Sequence, residues 1–344
     1  MINTSVLLVA IVVLIVLILI GLALLVVHGI VRSVVARLRG RRIAAARDAL
    51  LAAARRGEPD DAAGSALRAI PHERALELLE ELAPSLAGPE LEALSAIARQ
   101  RGLIADAERE CASRRWRTRL HAVRVLALLG GGEATVPRLL DDERPEVRAQ
   151  AAEWAAGHPE SAPKIVAMLD DPGRFVRYTA MDSLIRLRAA AVEPLSAAIE
   201  TSPRPRAPLE VAARIGDPRL AGPAQARLDD PDAVVRSWAA RVLGGLGGDE
   251  HAAAVVERLA DEDAEVRAAA AVALGRLGHW PSAPAVAALL TDRDWNVRRS
   301  AALALRALGP AGELLLRRAL RDEDAFARDM AQQTLDLPEA VLPR

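Results

Sequence analysis

The chain has a single cysteine, Cys111, in 344 residues, so it can form no intramolecular disulfide and no multi-cysteine metal site. Aromatic residues are almost as scarce, at 2% against 51% apolar residues overall. Any core must therefore be built from Ala, Leu and Val, whose small side chains let helices approach closely. Charge of one sign is missing too: the formal net charge of −1 excludes a global attraction to nucleic acid or another polyanion and leaves only local patches. Lys164 is the only lysine. Because arginine takes its place in every segment, the bias reads as coding more than chemistry.

Catalytic constellations are also lacking. No glycine-rich loop ends in Gly-Lys-Ser/Thr, and Gly130-Gly131-Gly132 reads as a turn between helices. The histidines, His28, His72, His121, His158, His251 and His279, include no pair at i, i+3 or i, i+4, which leaves a helix-borne metal site without ligands. Cys111 and His121 are the one imaginable thiol and base, but a lone cysteine is more commonly a small buried core residue. His72-Glu73 reads as a helix start. The chain is accordingly read as a non-enzyme with no cofactor and no metal.

What is present is a repeat. LADEDAEVRAAAAVALGRLG, from Leu259 to Gly278, consists of an apolar helix end, an acidic turn and a second helix that stops at glycine. The same grammar recurs from Leu140, Leu169, Leu228, Leu290 and Leu320. The arginine after the turn appears as Arg148, Arg177, Arg236, Arg267, Arg298 and Arg328. The steps are close to 30 residues, with one double step between Arg177 and Arg236. A period of that size holding two helices predicts an α-solenoid. Asp263 is placed to cap the second helix and Gly278 to end it. Val266, Ala270, Ala273, Leu274 and Leu277 share a face that only stacked neighbours can bury.

These copies resemble the HEAT and HEAT-like (bilin-lyase type) repeat family over roughly the last two-thirds of the chain. The resemblance implies stacked helical hairpins, with the Val-Arg helix lining the inner wall and the arginines bonding acidic turn residues such as Asp170 or Asp261. Most members are scaffolds and a minority are enzymes. The fold class expected is all-α: an α-solenoid of HEAT-like helical hairpins preceded by one transmembrane helix.

That helix is read from Val6 to Val27, 22 residues without a charged side chain, enough to cross a hydrocarbon core of about 30 Å. Arg32, Arg37, Arg39, Arg41 and Arg42 follow it and no basic side chain precedes it, which places the N-terminus outside and the C-terminal bulk in the cytoplasm. His28 reads as an interfacial polar residue. The domain boundaries expected are 1–31 for the anchor, 32–64 for a basic juxtamembrane helix and a linker starting at Gly57, 65–112 for divergent capping helices, and 113–344 for the solenoid.

Two units break the pattern. SRRWRTRLHAVRVLALLG, from Ser113, carries a basic turn, with Arg114, Arg115 and Arg117 around Trp116, a combination able to hold a phosphate or stack on a base. TSPRPRAPLEVAARIGDPRL, from Thr201, replaces the acidic turn with Pro203, Pro205 and Pro208, through which no regular helix is expected to run. That segment reads equally as a docking notch or as drift.

Five residues after each marker arginine, helical spacing points outward. That row reads Arg124, Glu153, Asp182, Arg241, Val272, Leu303 and Gln333. A nucleic-acid-binding solenoid would show one sign of charge here, and this row is mixed. Trp154, Tyr178, Trp238, Trp280 and Trp295 are candidate interface anchors, with core packing as the default. The partner-binding candidates are Arg114, Arg115, Trp116, Arg117, Arg124, Glu153, Tyr178, Asp182, Trp238, Arg241 and Arg299. The function expected is a membrane-anchored scaffold or adaptor for a membrane-associated protein partner, with residues 6–27 in the bilayer. The alternatives are a tetrapyrrole lyase or chaperone, and anionic-lipid or nucleic-acid binding through the arginine-rich segments.

Overall fold

The computed structural model describes residues 4–338, with side chains at residues 21, 22 and 24–338. Its elements are helices joined by turns, and they form two compact units, residues 1–136 and 137–344.

The first unit begins with α1, Thr4–Arg56, a helix of 53 residues. The expected span Val6–Val27 lies on this helix, largely on residues whose side chains fall outside the described set. Among the described residues no helix is long and apolar enough to cross a membrane. The C-terminal end of α1 is not a free juxtamembrane rod. Ala46, Leu50, Ala53 and Ala54 are fully buried against α2 (Asp61–Arg68) and α4 (Pro89–Gln100). The linker expected from Gly57 shrinks to residues 57–60, because Asp60 accepts from the Ala62 N–H at 2.8 Å and starts α2 at once. Helices α3 (His72–Leu82), α5 (Leu103–Glu110) and α6 (Trp116–Leu129) complete the unit. Arg119 on α6 donates from Nη1 to the carbonyls of Ser113 and Arg114, six and five residues back.

That wrap of an arginine onto its own turn is the signature of the second unit. Its helices are α7 (Pro145–Ala155), α8 (Ala162–Ala167), α9 (Arg174–Leu187), α10 (Ala189–Thr201), α11 (Arg206–Ile215), α12 (Ala221–Gln225), α13 (Ala233–Leu246), α14 (Asp249–Glu257), α15 (Ala264–Leu277), α16 (Ala283–Ala288), α17 (Trp295–Ala307), α18 (Pro310–Ala319) and α19 (Ala325–Leu335). From α9 onward the odd-numbered helices are second helices of hairpins and stack on one another, with α7 at the head of the row. The unit is an α-solenoid.

The second helices α13, α15, α17 and α19 each start where an aspartate accepts first-turn N–H groups, as Asp263 does from Glu265 and Val266 at 2.9 and 3.3 Å. Asp232, Asp294 and Asp324 do the same. Stacking is close because of glycine: a Cβ on Gly244 would lie 2.5 Å from the Ala273 Cα, and one on Gly275 would lie 2.9 Å from the Ala304 Cα. Helix α15 is consequently buried on nearly all sides, Arg267 included.

The arginines form a ladder. Arg148 holds Asp171 through Nε at 2.7 Å and Nη2 at 2.9 Å. Arg236 holds Asp261 at 2.9 and 2.8 Å, and Arg267 holds Asp292 at 2.8 and 2.9 Å. Each arginine also donates from Nη1 to its own turn, as Arg267 does to the carbonyls of Asp261 and Glu262. One guanidinium thus ties its helix start to the next repeat's turn. The acceptor in the early rung is Asp171, not the expected Asp170, because the residue that caps the turn, six before the next marker, faces the fork. Burial opposes ionisation of Asp171, Asp261 and Asp292. Their arginine and backbone N–H partners outweigh it and hold each carboxyl below its usual value.

Against expectation, a helix does run through Pro208. It is the third residue of α11, where a backbone N–H would have no intrahelical acceptor, so the ring costs the helix little. The double step is one complete repeat with Pro208 in the marker position, 31 residues after Arg177 and 28 before Arg236.

Candidate partner-binding face

The solvent side of the second helices is built on that locked frame. Glu153 on α7, Asp182 on α9, Arg241 on α13 and Gln333 on α19 are exposed, while Val272 on α15 and Leu303 on α17 are half-buried. The expected outward row therefore exists within the second unit. Arg124, also exposed, belongs with Arg114, Arg115, Trp116 and Arg117 to the first unit, where the Arg117 guanidinium lies 4.9 Å over the Trp116 ring.

Core packing, the default for the large aromatics, holds only for Trp154, which is 3% exposed and stacks on His158 at 3.5 Å. Tyr178, Trp280 and Trp295 are 62, 67 and 54% exposed. The alanine-rich stack leaves no gap that would need them. Two exposed aromatics escaped the sequence reading, Phe175 and Phe326, at 70 and 63%. Both stand two residues before a marker arginine, a register that would have revealed them.

In the second unit three of the exposed or half-buried rings carry a guanidinium. Arg241 lies 5.3 Å over Trp238, Arg299 lies 5.6 Å over Trp295 and Arg298 lies 4.8 Å over Phe326. Such pairs hold a flat apolar surface next to a fixed positive charge. Arg241 also reaches Glu265 on the next helix at 3.3 Å.

This face carries an open groove of about 410 Å³ between α17 and α19. Its walls are Trp295, Arg299 and Leu303 on one side and Met330, Gln333 and Thr334 on the other, with Leu337 at the end. The structure thus brings Arg299 together with Trp295, Leu303 and Gln333. Tyr178 and Asp182 lie one turn apart on α9, and Trp238 and Arg241 lie together on α13, each at a distinct repeat.

Chemistry has no comparable constellation. Cys111 is buried, and burial pushes its thiol up, away from the reactive thiolate. His121 is not its base but an ion-pair partner of Glu80, 3.2 Å away, whose hydrogen bond raises the imidazole pKa. Among the described residues no group of three or more His, Cys, Asp or Glu is arranged to hold a metal ion.

Residues 132–213 and 252–336 match the family model for HEAT repeats. HEAT repeats are thus present in two regions of the chain. The stretch between the two matches holds α12, a first helix of only five residues, so one helical hairpin is foreshortened there. No curated protein matches the chain. Among solved structures, an engineered protein is similar at 21% identity and a TM-score of 0.40, over 86% of this chain and 94% of its own. Human deoxyhypusine hydroxylase in complex with glycerol is similar at 21% identity and a TM-score of 0.30, over 70% of this chain and 97% of its own.

Proposed function

We propose that this protein is a membrane-anchored scaffold whose HEAT repeats hold a protein partner at the cytoplasmic face of a membrane. HEAT repeats are helical scaffolds for protein interaction. The observation that carries the reading here is the α17–α19 groove, where an exposed tryptophan, an arginine stacked on it and three apolar side chains line one open surface. Aromatic and arginine side chains dominate binding energy at protein interfaces. The partner that suits this surface presents an apolar side chain beside a carboxylate.

Anchoring is supported by the uncharged run Val6–Val27 and by the exposure of Leu22, Leu24, Leu25, Val26 and Val27 on α1, each 55–70% open with no protein packed over it. The arginines from Arg32 to Arg42 orient the chain with its HEAT repeats inside and sit where anionic headgroups would meet them. The mixed signs of the outward row favour protein over nucleic acid, and the protein acts without catalysis.

The test is capture of partners from detergent-solubilised membranes with the full chain and with a Trp295→Ala, Arg299→Ala double variant. A partner recovered by the wild-type chain and lost from a variant with an unchanged melting temperature supports the reading. Equal recovery by both, or recovery of no specific partner, refutes it.

A further inference from the structure

The ladder of paired arginines has an interruption. Arg177 makes the local half of its rung, donating from Nη1 to the carbonyls of Asp171 and Pro172 at 2.7 and 3.1 Å. The other half needs a carboxylate six residues before the next marker position. That place, filled by Asp171, Asp261 and Asp292 in the intact rungs, is occupied by Ser202. The equivalence is visible in the backbone. Ser202 Oγ accepts from the Arg204 N–H at 3.1 Å just as Asp171, Asp261 and Asp292 accept from the residue two further on at 2.7–2.9 Å. A hydroxyl there is uncharged and too short to span the fork.

Among the described residues no other acid substitutes. Among the described residues, Arg177, Arg204 and Arg206 have no ion-pair partner. Asp171 is near Arg177, but both its oxygens are held by Arg148. Glu210, Asp217 and Asp230, the next acids with a partner, are paired with Arg214, Arg219 and Arg227. Arg206 also stands two before the marker position, the register at which Phe326 stacks under Arg298 in a later repeat. Charge therefore accumulates here, whereas the rungs of Arg148, Arg236 and Arg267 are neutralised by aspartates.

We propose that the gap between Arg177 and Ser202 is an oxyanion-binding site. The Nε and Nη2 edge of Arg177 grips a phosphate or carboxylate in the two-point manner of the intact rungs, with Arg204 and Arg206 adding charge. Bidentate guanidinium forks match the geometry of both anions. The site belongs to the rod itself, so it stands or falls independently of partner capture at the α17–α19 groove.

Inorganic phosphate is the first probe. The melting temperature of the full chain in detergent is followed by circular dichroism as phosphate replaces chloride at constant ionic strength. The expected result is a saturable rise for the wild type, as for any ligand that binds the folded state alone. Ser202→Asp, which restores the missing carboxylate, raises the melting temperature without phosphate and loses the phosphate response. Arg177→Lys keeps a charge but loses the fork, and weakens the response several-fold. The second arm replaces phosphate with a fluorescent aspartate-rich peptide. Peptide binding that Ser202→Asp abolishes identifies a partner's carboxylate as the occupant, and a response to phosphate alone identifies a free phosphate. No response to either probe overturns the site, as does a response of equal size in wild type and Ser202→Asp.

Discussion

A single guanidinium does two jobs in this protein, and its energetics follow from where it sits. Arg267 and Asp292 are 8 and 9% exposed and doubly bonded. Removing one member leaves the other charge buried without its partner, a loss of about 3 kcal/mol. Asp292→Ala is therefore expected to lower the denaturation midpoint strongly. Asp322→Ala, which removes only a turn-capping contact at an exposed residue, should cost about 1 kcal/mol or less. Acid provides a second test. Asp171, Asp261 and Asp292 titrate below 3.8 in the folded state, so the stability they contribute is complete above the unfolded value and is lost as pH falls through the lowered folded value. Replacing all three with Asn should flatten the decline of stability on acidification, measured by thermal melts from neutral pH downwards. His121 has the opposite sign. Its pKa is raised above 6.5 by Glu80, so its contribution is full below that value and disappears as pH rises through the raised one. Glu80→Gln should bring the imidazole titration, followed by NMR, back towards 6.5.

At the scale of the element, spacing and caps carried most of the information. The Asp263 cap, the Gly278 stop and the buried face of α15 could be read from residues alone, because capping and periodicity are local. The tolerance of α11 for Pro208 is equally local, but it depends on where the helix starts, and a substituted turn leaves no cap residue to mark that start. The close approach of α13 to α15 was not legible at all, since Gly244 reads as a weak helix residue until its neighbour Ala273 is known. Gly244→Ala gains helix propensity yet is expected to destabilise by about 1–3 kcal/mol, because the added methyl meets backbone and not a yielding side chain. A melt of that variant decides between the two effects. The aromatic residues on the outward surface were named as candidates but assigned to the core by default. Only the alanine-rich packing, which leaves no room for a ring, explains why Tyr178 and Trp295 stay outside.

For the whole molecule, the repeat period fixed the architecture of residues 137–344, and the groove that best suits a partner required coordinates, since Trp295 and Met330 lie 35 positions apart. If the scaffold reading holds, Leu303→Asp should reduce partner affinity roughly 30-fold, the equivalent of about 2 kcal/mol at an interface anchor, in a binding titration with the captured partner. The open rung between α9 and α11 has one more consequence, a mechanical one. A stacked rod pulled from its ends bears tension in series, and it gives way at the joint with the fewest cross-links. Joints α7–α9, α13–α15 and α15–α17 are each pinned by a doubly bonded arginine, whereas α9–α11, like α11–α13 and α17–α19, lacks such a rung and is crossed by the weak donation of Arg214 Nη1 to Met181 Sδ at 3.6 Å. In a force-extension experiment on the full chain, the first rip of this solenoid belongs to a joint without a rung, and Ser202→Asp should raise the force at which α9–α11 opens. A load on the held partner that opened α9–α11 would then be felt as a hinge beside Ser202, while the rungs at α13–α15 and α15–α17 stayed closed.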